Sequence, residues 1–338
     1  MPAPERPDPL PEPISIDRAD LEAARSLVGA VVAPTPAYRW PLLEAHAGSH
    51  VVVKHENHTP VGAFKVRGGL VYVDRLRRER PEVTGLVSAT RGNHGQSLAF
   101  AGRRAGLDVT IFVPHGSSVE KSAAMRALGA TVVEHGDDFQ EAREASVRHA
   151  AEHGLEPVPP FHPDLVLGVA TYAAELFEQT ADEPLDTVYV PVGMGSGIGA
   201  LMAVRDLYGL RTDIVGVVAE GADATLRSFE AGEVVATPSV STFVDGVATR
   251  SPDPRAVAGV LAGAARIVAV PDDAVASAMR TIFATTHNVA ESAGAIGLAG
   301  LLSEPVGVRG ERSAFVLCGG NVDTDQFALV LAGGTPAP

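Results

Sequence analysis

Cysteine is nearly missing from this chain of 338 residues. Cys318 stands alone, which excludes an internal disulfide framework and any multi-cysteine metal site. Lysine is almost as scarce, present only at Lys54, Lys65 and Lys121. No apolar run reaches the ~18 residues that span a bilayer, and the polar, proline-rich start is unlike a signal peptide. Positive charge is also short: 27 Lys and Arg face 41 Asp and Glu, a net charge of −14 that disfavours phosphate backbones and anionic lipid as partners. The 11 histidines are scattered, without the spacing of a catalytic zinc site. What is present is an ordinary 46% of hydrophobic residues, too many for a disordered chain. The expectation is a soluble, cytoplasmic α/β protein with neither nucleic-acid nor membrane partners.

Apolar runs bounded by glycine or proline alternate with helical patterns along the chain. Strands are expected at 50–54, 85–88, 108–113, 131–134, 187–192, 213–219, 266–270 and 313–317. Helices are expected at 93–104, 119–128, 138–153 and 200–208. Near-continuous apolar strands separated by helices predict parallel sheets covered on both faces. Residues 1–13 read as a disordered arm. Pro157-Val158-Pro159-Pro160 breaks the rhythm and reads as a hinge. A small domain over 83–160 is therefore expected, inserted into a larger one built from 14–82 and 161–335.

Four segments carry chemistry. Lys65 begins a helix, where the dipole and desolvation both oppose its charge, and a lysine of lowered pKa suits Schiff-base chemistry. The bland alternative is a solvated helix lysine. Thr90-Arg91-Gly92-Asn93-His94-Gly95 follows a strand and opens a helix, leaving N–H groups for a carboxylate or phosphate, or making only a βα turn. The 193–199 loop, with Gly193, Met194, Gly195 and Ser196, is a phosphate cradle by composition. It is also compatible with a dinucleotide fingerprint, since Glu220 ends the next strand where a ribose-binding acid would stand. Cys318 lies at the carboxyl end of the last strand. It is either a small core residue or a ligand contact.

Taken in order, these segments resemble the serine/threonine dehydratase family of fold-type II pyridoxal-phosphate enzymes. The resemblance rests on Ala63-Phe64-Lys65-Val66-Arg67-Gly68-Gly69, Arg91-Gly92-Asn93-His94-Gly95-Gln96, Gly193-Met194-Gly195-Ser196 and Cys318-Gly319-Gly320-Asn321, and covers about residues 20 to 330. It implies a two-lobed fold with parallel sheets and a smaller inserted domain, pyridoxal 5'-phosphate as cofactor, and a homodimer. By the same resemblance Lys65 holds the cofactor and exchanges the substrate's Cα proton. Phe64 packs near the pyridine ring, Asn93 bonds the phenolic oxygen, Gly193, Met194, Gly195 and Ser196 bind the phosphate, and Cys318 faces the pyridine nitrogen. Thr90, Arg91, Gly92 and His94 then meet the amino-acid substrate. The chain looks like a form without the regulatory domain of biosynthetic threonine dehydratases.

The implied reaction is elimination and deamination of a β-hydroxy α-amino acid of the threonine, serine, phenylserine or 3-hydroxyaspartate type, by a carbon–nitrogen lyase. A nicotinamide-dependent dehydrogenase using the 193–199 loop, and a non-catalytic cofactor- or amino-acid-binding relative, are the competing readings. Three departures stand out. Arg91 replaces the serine or alanine usual before Gly92, which argues against racemisation and suggests a substrate with a second acidic group. Met194 and Ser196 replace glycines, so the Met194 side chain must point away. Glu220-Gly221-Ala222-Asp223 only loosely resembles the cation site of relatives, and the metal stays unknown. The variants at 90–97 and 193–197 look closer to the hydroxyectoine-utilisation dehydratase and hydroxy-amino-acid ammonia-lyase subgroup than to plain threonine dehydratase.

Overall fold

The apolar runs become strands buried on both faces, the condition for parallel sheets covered by helices. The structure, a computed structural model, describes residues 9–137 and 139–338. Most of the expected N-terminal arm and Asp138 lie outside the described residues. The strands are β1 (Ala37–Arg39), β2 (His50–His55), β3 (Gly85–Ala89), β4 (Asp108–Val113), β5 (Thr131–Glu134), β6 (Glu156–Pro157), β7 (Thr187–Pro191), β8 (Asp213–Ala219), β9 (Arg266–Val270) and β10 (Arg312–Leu317).

They form two sheets. The larger has six strands in the order β1-β2-β10-β7-β8-β9, parallel except for β1, which pairs antiparallel with β2. The smaller has four parallel strands in the order β5-β4-β3-β6. Two strands escape the sequence pattern. β1 is too short to show alternation, and β6 contains Pro157, read above as part of a break. Pro157 is tolerated because β6 is an edge strand, where a missing N–H deprives no neighbour.

Helix Lys65–Glu79 packs against helices Asn93–Ala105 and Pro163–Gln179, tying the two sheets together. The contact is close because glycines line it. A Cβ on Gly69 would stand 2.2 Å from Ser97 Oγ, and one on Gly68 would stand 2.8 Å from the Leu165 carbonyl oxygen. Val66, Leu70 and Val73 from this helix join Leu86 and Ile111 of the smaller sheet, Leu98 and Met125 of the helices beside it, and Val188, Val190 and Phe315 of the larger sheet in one apolar core. A second cluster, Val87, Ala89, Phe112, Ala142, Ala145 and Ala150, covers the other face of the smaller sheet. Among the described residues, no helix is long and apolar enough to cross a membrane.

Candidate active site

Three of the four segments singled out in the sequence fall at the carboxyl ends of parallel strands, where open α/β sheets bind ligands. Thr90 to Asn93 follow β3, Gly193 to Ser196 follow β7, and Cys318 follows β10. Lys65 is brought to them by a backbone splice. Phe64 N–H donates to the Cys318 carbonyl at 2.9 Å, Ala63 bridges Gly319, and Gly320 N–H donates to Gly62 at 2.9 Å. A small, tight cavity lies there, lined by Lys65, Gly68, His94, Pro160, Leu165, Val169 and Ser196. A wider, open cleft, lined by Glu44, His50 and Glu311 among others, sits at the amino ends of β2 and β10. That is the wrong end of the sheet for ligand chemistry, and the smaller cavity is the candidate site.

Three helices start at this cavity: Lys65–Glu79, Asn93–Ala105 and Ser196–Leu207. Their N-cap residues Phe64, Gly92 and Gly195 offer no capping side chain. Their first N–H groups and dipole ends are thereby left for an anion. Gly195 holds φ at +96°, a conformation strained for any residue with a Cβ. The third helix begins at Ser196, four residues before the start expected from the sequence, so Ser196 supplies a helix-start N–H rather than a loop N–H. The Met194 sulfur accepts from Thr249 Oγ1 at 3.9 Å.

The three lysines separate cleanly. Lys54 is buried and donates to Thr35 O at 2.8 Å, Glu175 at 2.8 Å and Gln179 at 3.1 Å. Its partner is thus not the adjacent Glu56, which is taken by Arg67. Lys121 turns inward and pairs with Glu291 at 3.1 Å. Lys65 Nζ has no hydrogen-bond partner among the described residues and lies 4.8 Å from the Phe64 ring centroid. Burial lowers the Lys65 pKa, while Cys318 and Glu291 partly oppose that shift.

His94 is 6% exposed and its Nε2 is buried without a partner. Burial, with Lys65 close by, pushes its pKa down to about 3, so the ring is neutral. Burial likewise pushes the Cys318 thiol up, keeping it protonated. Asn93 is held at both ends: Nδ2 donates to Glu291 and Oδ1 accepts from Asn321 Nδ2 at 2.9 Å. Thr90 Oγ1 accepts from Gly92 N–H at 3.1 Å, bracing the loop. Arg91 is 36% exposed and its Nη1 lies 3.6 Å from Asp245. Glu291 had no place in the sequence reading, and Lys121 entered it only as one of three lysines. They come from segments whose meeting is a matter of topology, and no local motif announces it.

Residues 28–319 match the family described as pyridoxal-phosphate dependent enzyme, and the chain belongs to that family. It is 34% identical over 321 residues to the biosynthetic L-threonine dehydratase of Salmonella typhimurium, covering 92% of this chain and 62% of that one. It thus spans less than two thirds of that relative's length. An L-threo-3-hydroxyaspartate ammonia-lyase of Pseudomonas sp is 34% identical over 304 residues, covering 88% of this chain and 93% of its own. The processed form of threonine deaminase isoform 2 from Solanum lycopersicum superposes with a TM-score of 0.85 at 28% identity, covering 96% of this chain and 91% of that one.

The family's cofactor is pyridoxal 5'-phosphate, and the residues present fit it. An unpaired amine, a buried orphan imidazole nitrogen, three uncapped helix starts and a neutral thiol are the groups that would suit its aldehyde, a polar contact, its phosphate and its pyridine nitrogen. This decides against the nicotinamide reading of the 193–199 loop. Among the described residues, no group of three or more His, Cys, Asp or Glu is arranged to hold a metal ion, and Asp223 is engaged by Arg227 at 2.8 Å.

Proposed function

We propose that the chain catalyses elimination from a β-hydroxy α-amino acid, releasing a 2-keto acid and ammonia. The observation that carries this is the state of Lys65, an amine of lowered pKa with no protein partner, set among uncapped helix starts. Lys65 anchors the cofactor and, once displaced, takes the proton from the substrate's Cα. When bound, the cofactor supplies the electron sink that acidifies that Cα–H bond.

Each remaining residue has a part. Gly193, Met194, Gly195 and Ser196 hold the phosphate through backbone N–H groups. Phe64 packs beside the ring, and Asn93 donates to the phenolic oxygen. Cys318 meets the pyridine nitrogen as a neutral thiol, which cannot hold that nitrogen protonated as an aspartate would. A weaker sink favours prompt loss of the β-substituent over transamination. Gly92 and His94 receive the substrate carboxylate, while Thr90 braces that loop. Residues 83–160 form a small domain that closes on the larger one, the chain acts as a homodimer, and it works in the cytoplasm; light scattering and cell fractionation check the last two.

The test is a purified sample given serine, threonine, phenylserine and 3-hydroxyaspartate, with keto acid as the readout and borohydride trapping beside it. Keto acid from at least one substrate, and an adduct on Lys65, are expected. A trapped adduct without turnover would leave only a cofactor-binding relative.

A further inference from the structure

Glu291 joins segments that lie far apart in the chain. One carboxylate oxygen receives Asn93 Nδ2–H, and the other pairs with Lys121 Nζ at 3.1 Å. The glutamate is almost wholly buried, and so is most of the lysine side chain. Lys121 reaches it by laying its stem along Gly92, where a Cβ would stand only 2.6 Å from Lys121 Cδ. Gly92 and Asn93 are the very residues that open the helix facing the cofactor. The same carboxylate also acts on Lys65. The charged and titratable groups facing Lys65 are Cys318, Glu291 and His94; those facing Lys121 are Glu291, Asp245 and Asp323.

A buried carboxylate needs a countercharge. Two amines act on Glu291, and they have opposite duties. Lys121 can stay charged permanently: burial works against it, yet Glu291, Asp245 and Asp323 more than offset that and raise its pKa. Lys65 must lose its proton to react. We propose that Lys121 is a positioning residue: by neutralising Glu291 it fixes the Asn93 amide against the cofactor and keeps the carboxylate from holding a proton on Lys65. Its side chain touches neither substrate nor cofactor in this role. The proposal rests on Lys65 as the cofactor's anchor.

The experiment strips the holoenzyme of cofactor, adds pyridoxal 5'-phosphate across a pH series, and follows covalent attachment by absorbance and borohydride trapping. In Lys121→Met the midpoint of the attachment rate should move alkaline by about one pH unit, so attachment on the acid side slows about tenfold. Lys121→Arg should keep the wild-type midpoint. Adding Glu291→Gln to Lys121→Met should return it to the wild-type value or below. A wild-type midpoint in a Lys121→Met protein of unchanged melting temperature overturns the proposal, as does a double variant no faster than the single. If Lys121→Met does not fold, Glu291→Gln alone decides: an acid-shifted midpoint supports the proposal and an unmoved one defeats it. An adduct trapped in Lys65→Ala would instead remove the anchor itself, and both readings with it.

Discussion

Two buried clusters pair basic side chains with glutamates, and they are finished to different degrees. Behind the site, Arg67 donates through Nε to Glu56 at 2.7 Å and through Nη1 to Thr171 at 3.0 Å and Glu175 at 2.6 Å. Its Nη2 reaches Thr35, Glu56 and Glu175. Lys54 completes the set with three acceptors of its own. Every charge there is matched, and the cluster has no free atom with which to do chemistry. At the site, Lys65 and His94 Nε2 have no protein partner among the described residues, while Lys121 and Glu291 are matched beside them. The same ingredients serve architecture where all are satisfied and reactivity where one is left over.

Removing the leftover amine tests the contrast most severely. Lys65→Ala should abolish turnover, with a loss beyond the ~10²–10⁴-fold of a lone general base, since it removes both anchor and base. The fold should survive, because Lys65 satisfies no buried partner; keto acid release and a melting curve measure the two halves. Near wild-type turnover would show that another lysine does the work.

The sealed cluster should respond in the opposite sense. Arg67→Met leaves Glu56 without a countercharge and Glu175 with Lys54 alone, and breaking a buried ion pair from one side costs about 3–5 kcal/mol of stability. Denaturant unfolding reads that loss. Activity per folded molecule should change far less than stability does. A variant as stable as wild type would mean that water or rearrangement satisfies the carboxylates.

A third difference concerns protons. His55 is fully buried, its Nε2 accepts from Trp40 Nε1 at 3.1 Å, and burial holds its pKa down to about 4. Between pH 6.5 and 4 the unfolded chain binds a proton that folded His55 refuses, so stability falls as pH falls through this window. The loss attributable to His55 is at most about 3 kcal/mol. The chain's single tryptophan, Trp40, reports unfolding by fluorescence. His55→Gln keeps an acceptor for Trp40 and should flatten the acid arm; an identical pH profile would show that His55 is not held neutral.

Legibility in the sequence follows the same contrast. Lys65, Asn93 and the 193–196 loop could be read because each lies in a short segment between a strand and a helix. The strand runs of both sheets were equally readable, being apolar and bounded by glycine or proline. The partners that finish each cluster were not. Lys54 has Glu56 two positions away in the chain, but Glu175 and Gln179, one turn apart on helix Pro163–Gln179, meet it instead. Asn93 and Glu291 are 198 positions apart, and only the meeting of the two sheets brings them together. Contacts set by topology leave no periodic trace in a single sequence.

Arg91 lies between the two kinds of cluster and carries the smallest expected effect. A second substrate carboxylate would need its guanidinium desolvated and free, the geometry in which a bidentate pair discriminates. The structure instead leaves 36% of the side chain exposed, with Asp245, itself 40% exposed, at 3.6 Å. A pair so placed is worth about 0–1 kcal/mol, because water and salt screen both partners. Arg91→Ala should therefore change kcat/KM for threonine, phenylserine and 3-hydroxyaspartate by similar factors, each within about fivefold. A loss confined to 3-hydroxyaspartate, on the order of 2–5 kcal/mol, is the signature of a desolvated charge pair. That outcome would show that Asp245 surrenders its partner when an acidic substrate enters, and Asp245→Asn should then raise kcat/KM for that substrate while leaving threonine unchanged.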